Sequence, residues 1–191
     1  STSVKVHSTG RLSLEKKVRF FAEAKKEVLF FGVRLKQLAS YFMGRKGSDF
    51  KEPIKGLLSQ GVHVRCYMLD PTWEGASYYF EDRGTHLERE KRSLKEMNLV
   101  AADLKSIVEE YKGVELSGKL EVLVYRHFPQ GYYLVVDGEE EGAKMQFAPY
   151  LFGLPRSESP VQEIHRKEQP ILFEKYWNSL NKLIEHATPL S

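Results

Sequence analysis

Apolar and polar positions along the chain predict strands and helices in alternation. From Leu14 to Lys26, apolar residues Leu14, Val18, Phe21 and Ala22 recur at spacings of three and four, the period of an amphipathic helix. Glu27 to Gly32 (EVLFFG) is a short apolar run closed by glycine, the pattern of a buried parallel strand. Val33 to Met43 reads as helix again. A further helix, Glu52 to Gln60, carries Pro53 in its first turn and stops at Gly61. Val62 to Leu69 (VHVRCYML) is a strand ended by Asp70-Pro71. Strand, helices and strand over roughly forty residues predict a βαβ crossover.

Pro71 to Gly84 (PTWEGASYYFEDRG) reads as an aromatic loop, and Thr85 to Lys112 as a long charged helix or helix pair. Leu87, Leu94, Met97, Leu104 and Val108 mark its apolar side. Three strand-like stretches follow, Leu120 to Arg126, Tyr132 to Asp137, and Lys144 to Tyr150. Gly138-Glu-Glu-Glu-Gly142 joins the last two as a hairpin. A loop containing Pro155 and Pro160 leads to a final helix from Pro170 to His186. The expected fold is one α/β domain over residues 1–191, ordered from about 14 to about 186. Its central sheet is expected to be mixed and mostly parallel, with helices on both faces.

Composition narrows the class. The 191 residues are 41% hydrophobic and 29% charged, enough apolar material for a core without staples. No run of eighteen apolar residues marks a membrane span, and STSVKVHSTG lacks the apolar centre of a signal peptide. A cytoplasmic location is the expectation. Twenty-nine basic and 26 acidic residues leave a net charge of +3, which argues against a dedicated duplex-DNA binder. Direct nucleic-acid binding is therefore not expected.

Candidate chemistry is sparse. The six histidines (His7, His63, His86, His127, His165, His186) are scattered, so no metal site is expected, and no cofactor. The single cysteine, Cys66, sits in an apolar strand as a buried, inert thiol. Nucleophile-elbow, phosphate-loop and dinucleotide glycine motifs are absent. Gly44-Arg45-Lys46-Gly47-Ser48 offers an anion-binding turn or, more simply, a solvated connection. Glu88-Arg89-Glu90-Lys91-Arg92 reads as a solvated helix face. Trp73, Tyr78, Tyr79 and Phe80 either line a ligand pocket, pack on a partner or pack under their own loop.

Several phrases in order, EVLFFGVRLKQLASYF, then GVHVRCYMLDP, then LEVLVYRHFPQGYYLVVDGEEEGAKMQFAPY, resemble the phospholipase D superfamily in its single-domain form. Active members carry H-x-K-x-x-x-x-D, with histidine as covalent nucleophile and lysine neutralising phosphoryl oxygens. That chemistry needs an in-line nucleophile and cations on the equatorial oxygens. Counting back from Asp137 puts Gln130 at the histidine position and Tyr132 at the lysine position. His127 lies three residues upstream of the motif position, an odd offset that turns it to the other face of a strand.

The resemblance implies a phospholipase D-like domain with a degenerate motif and no catalysis of its own. Such a domain would act as a ligand-sensing, protein-interaction or dimerisation module, part of a longer regulatory protein. Because the superfamily works with two motifs meeting across a twofold axis, it also implies a homodimer or a pairing with another domain. Expected ligand-lining residues are Gln130, Tyr132, Asp137, Arg126 and His127, with Arg65 and Asp70 at the C-terminal end of another strand. A small anion such as a nucleotide or phosphorylated metabolite is the expected ligand class. The competing reading is a divergent phosphodiesterase or nuclease using His127 with Arg126. A third is a dimerisation domain without a ligand.

Overall fold

A computed structural model describes residues 4–9, 12–43 and 51–191. The basic turn at residues 44–48 lies outside them. Among the described residues one sheet of eight strands forms the centre, in the order β1-β7-β6-β5-β2-β3-β4-β8. The strands are β1 (Lys5–His7), β2 (Glu27–Phe31), β3 (His63–Leu69), β4 (Leu120–Tyr125), β5 (Gly131–Val136), β6 (Lys144–Pro149), β7 (Val161–His165) and β8 (Thr188–Pro189). The helices are α1 (Leu14–Phe21), α2 (Lys36–Phe42), α3 (Lys51–Ser59), α4 (Glu74–Gly84), α5 (Ser93–Lys112) and α6 (Pro170–Ile184).

The sheet is mixed but mostly antiparallel, which corrects the expected parallel majority. Only β2–β3 and β3–β4 pair parallel. Those pairs are joined through helices, as parallel neighbours must be. The other pairings are antiparallel. The cause is local: β5, β6 and β7 follow one another through short connections that only reverse the chain, and β5 docks antiparallel on β2.

Helices cover both faces. On one face Tyr133 and Phe147 meet Tyr176 of α6, whose ring lies 4.7 Å from that of Phe147, and Phe31 packs edge-on to Tyr133. On the other, Phe21 of α1 sits edge-on to Phe30 at 5.7 Å. Alternation along β2 therefore divides its apolar residues between two cores. Helices α2, α3 and α5 join through Tyr111, which meets the Phe42 ring and donates its hydroxyl to the Lys51 carbonyl.

Local departures have physical causes. Helix α1 ends at Phe21, short of Lys26. The three adjacent backbone N–H groups of Lys25, Lys26 and Glu27 then point at the Asp137 carboxylate. The supposed loop at Pro71–Gly84 contains α4, where the Trp73 ring folds back over Gly75. A side chain at Gly75 would come within 2.3 Å of that ring. The charged stretch after Thr85 divides into a 3-10 helix, Glu88–Arg92, and then α5. Strand β7 lies in the stretch before Pro170 that was expected as loop, while β1 and β8 lie outside the expected ordered core.

Candidate functional site

The C-terminal ends of β2, β3 and β4 release the chain at Gly32, Asp70 and Arg126. Strand β5 runs the other way, so its first residue, Gly131, and the preceding Gln130 stand on the same rim. Strand β6 ends there too, and the Tyr150 N–H donates to the Gln130 carbonyl at 2.8 Å. Open sheets bind ligands outside such carboxyl ends. The rim therefore collects two of the three motif positions, Gln130 and Tyr132.

At its centre the chemistry is neutral and aromatic. Tyr132, where the lysine would stand, has Tyr150, Cys66 and Tyr41 for electrostatic neighbours, and burial pushes its hydroxyl far above the usual tyrosine range. Burial does the same to Tyr150, with Arg156 opposing it. Tyr125 stacks on Phe31 at 4.3 Å and donates its hydroxyl to the Gly32 carbonyl at 2.9 Å. Above them Phe128, 56% exposed, lies between Trp73 at 5.6 Å and Tyr79 at 6.3 Å. The Tyr79 hydroxyl is buried close to the Arg156 guanidinium. Of the four aromatics read from the sequence, Phe80 is core, Tyr78 is exposed, and Trp73 and Tyr79 pack against Phe128.

Charge at the rim is present but engaged. Glu90 is only 2% exposed and takes two cations. Arg156 grips it with both terminal nitrogens at 2.6 and 3.1 Å, and Arg83 approaches at 3.4 Å. The Ser93 hydroxyl donates to the same carboxylate at 2.8 Å. Burial alone would raise the Glu90 carboxyl; Arg156, Ser93 and Arg83 outweigh that and hold it below the ordinary glutamate range. Arg34 pairs with Glu96. Arg126 pairs with Asp70 at 2.9 Å. Burial would likewise raise Asp70, but bonds from Thr72 and Arg126 leave it lowered.

The seven sequence-predicted residues do not form one cluster. Gln130 and Tyr132 share the rim centre. Asp70, Arg126 and His127 lie beside it, where two adjoining cavities of about 270 and 340 Å³ meet at Val124, Arg126 and Thr188. Arg126 and His127 are exposed, and His186 lines the same cavity as His127. Arg65 is not at a C-terminal strand end: it is the third residue of β3, clamping Glu27 at 2.7 and 2.9 Å. Asp137 is farther still from the rim centre, five residues along β5 from Tyr132, about 17 Å at strand rise. Its φ of 52° places it in the left-handed region, and its carboxylate accepts the Lys25, Lys26 and Glu27 N–H groups at 2.7–3.0 Å.

The sequence reading missed Arg83, Glu90, Ser93 and Arg156, because Glu88–Arg92 looked like solvated charge. A signal was there. Glu90 falls three residues after Leu87 and four before Leu94, on the apolar stripe that continues to Met97.

No family model matches the chain, and no curated protein matches it. Among solved structures it is similar to phosphatidylserine synthase of Haemophilus influenzae Rd KW20, with a TM-score of 0.57 and 14% identity over 98% of this chain and 39% of that one. That likeness is of fold alone and supports a phospholipase D-like α/β fold. The chain is also similar to TrmBL2, an archaeal chromatin protein described as showing a novel mode of DNA binding, with a TM-score of 0.48 and 16% identity over 94% of this chain and 52% of that one. The chain thus spans about half or less of either structure's own length.

The expected partners need correction. Near-balanced net charge had set nucleic acid aside, but a charge balance of the whole chain does not exclude a local basic surface, so that exclusion is withdrawn. Net charge describes the whole surface and is silent on where charges gather. The anionic-ligand expectation loses its footing as well, since Arg34, Arg83, Arg126 and Arg156 each face a carboxylate. Nothing supports the homodimer. Among the described residues no helix is long and apolar enough to cross a membrane, and no group of three metal-ligating side chains gathers.

Proposed function

We propose that this chain is a single phospholipase D-like domain without phosphodiesterase activity, serving as a sensing module for an uncharged polar ligand at the rim centre. The observation that carries the reading is Tyr132. A transferring phosphoryl group needs a fixed cation near its oxygens, and the motif's lysine position holds a phenol that its surroundings keep neutral. Gln130 cannot form the covalent phosphoenzyme either. Aromatic faces from Trp73, Phe128 and Tyr79, with the exposed Gln130 amide beside them, suit a ligand with an apolar face and hydroxyl or amide groups. An anion would have to displace a carboxylate from an arginine before it could bind.

The test has two arms. Thermal shift against neutral sugars, nucleosides and their phosphorylated counterparts should find stabilisation from a neutral compound; at a hundredfold excess over Kd it amounts to about 2.7 kcal/mol. A shift confined to phosphorylated compounds overturns the ligand class. Hydrolysis of bis(p-nitrophenyl) phosphate by the protein, abolished in His127→Ala, overturns the non-catalytic reading in favour of the divergent phosphodiesterase.

A further inference from the structure

Away from the rim centre, the two adjoining cavities of about 270 and 340 Å³ flank β8 at the edge of the sheet. One is bounded by α5 and the other by the end of α6. Their charged and imidazole side chains are Lys105 on α5, Arg126 and His127 just after β4, and His186 just after α6. A single acidic side chain, Asp70, lines them, and it is already satisfied by the Thr72 N–H, the Thr72 hydroxyl and Arg126 Nε. Arg126 commits only that nitrogen. Its side chain is 64% exposed, and its terminal nitrogens have no partner among the described residues. Lys105 is exposed and pairs with no carboxylate among the described residues, while the exposed Glu185 approaches His186 at 3.3 Å. Two residues past Arg126, so within about 8 Å of backbone, stands Phe128 with its outer face open to solvent and Trp73 beside it at 5.6 Å. Trp73 in turn follows Pro71 and Thr72, which line the first cavity.

We propose that this groove binds single-stranded nucleic acid, with Arg126 and Lys105 on phosphates and Phe128 beneath a base. Strand-binding grooves combine cations that follow the backbone with aromatic faces on which unpaired bases stack, and both stand here side by side. His127 and His186 add ring N–H donors for phosphate oxygens or base edges. A duplex fits less well, because its bases hide their faces and its backbone calls for a larger basic footprint. An acidic peptide would use the cations and leave Phe128 idle. The net charge of +3 does not oppose a surface this local. The groove shares Phe128 with the neutral-ligand reading but none of its cations, so neither depends on the other.

Fluorescence anisotropy with labelled oligothymidylate of about twelve nucleotides, within the span of such grooves, tests the proposal. The parent should bind saturably, with log Kd rising against log salt at a slope of about 1.4 for two phosphate contacts. Arg126→Gln and Lys105→Gln should each lower that slope by about 0.7. Lys105 has no structural partner to lose, so its variant reads the contact even if Arg126→Gln disturbs Asp70. Phe128→Ala should weaken binding about tenfold with the slope unchanged, and Phe128→Tyr, which keeps the ring, should bind like the parent. Lys119→Gln removes a cation at the opposite end of β4 and should change nothing. Absence of saturable binding at about 50 mM salt overturns the proposal. So does equal affinity for the matching duplex or for polyglutamate, an unaffected Phe128→Ala, or a loss in Lys119→Gln equal to that in Arg126→Gln. These measurements contain no neutral compound, so their failure is separate from failure of the thermal-shift panel.

Discussion

Asp137 lies where β5 ends and holds backbone N–H groups from the start of β2, the arrangement of a clamp. Its carboxylate takes three successive backbone N–H groups where α1 gives way to β2. Hydrogen bonds to a charged acceptor are worth about 1.5–3 kcal/mol each when buried. Here Lys25 and Lys26 are exposed and Glu27 is half-buried, so water recovers much of that on removal. Alanine also meets the left-handed φ of 52° at a cost of about 1 kcal/mol. Together, Asp137→Ala should lose about 2–4 kcal/mol. For a chain of this length that is a fall in Tm of roughly 5–15 °C. Asp137→Asn keeps one acceptor oxygen and a residue at ease in the left-handed region, so about half the loss is expected. Asp137→Gly tolerates the φ but has no acceptor and should fall between the two. Urea unfolding measures all three. If Asp137→Ala lies within about 0.5 kcal/mol of the parent, as an ordinary surface substitution would, the clamp is refuted and Asp137 returns to the candidate ligand residues.

Two further outcomes follow from burial and charge. Because the folded-state pKa of Glu90 lies below its ordinary value, its stabilisation is present above about pH 4.5 and is lost as pH falls through the folded value. Stability profiles between about pH 6 and 3 should therefore decline more steeply in the parent than in Arg156→Gln, and parallel profiles would contradict the assignment. Cys66 is 1% exposed and burial pushes its thiol up to about 12, so a thiol reagent at neutral pH should modify it only at the rate of unfolding. Prompt labelling of the native protein would refute the burial.

What could be read in the sequence was whatever is written in a short window. The β5–β6 hairpin appears within a residue or two of its expected bounds, because Asp137-Gly138 and the alternating flanks specify it locally. Helix α6 likewise follows from Pro170 and its apolar period. The sheet's sense was not local. Whether β5 lies beside β2 antiparallel or elsewhere depends on pairing across about a hundred residues, which no window contains. Strands β1 and β8, two or three residues long, leave no periodicity to detect. Within the site, the motif positions Gln130 and Tyr132 could be read by counting. The fate of Asp137 could not, since its three donors lie about 110 residues upstream in the chain.

Glu90 shows why charge in a sequence is ambiguous about function. Its five-residue neighbourhood is uniformly charged, yet Lys91 and Arg89 face solvent while Glu90 turns inward with a serine and two arginines. Burying three such charges costs several kcal/mol per ion, and their attraction repays it only with full satisfaction, so the cluster is weak ground for claiming stability. What it fixes is position. Only one placement of Arg156 meets both oxygens of Glu90, and that placement sets the β6–β7 segment against α4. The same arrangement bears on catalysis. Two guanidiniums already committed to a carboxylate are poor clamps for a phosphoryl group, and the one motif position built to carry a cation carries Tyr132. Charge at this rim orders the protein around neutral aromatic side chains.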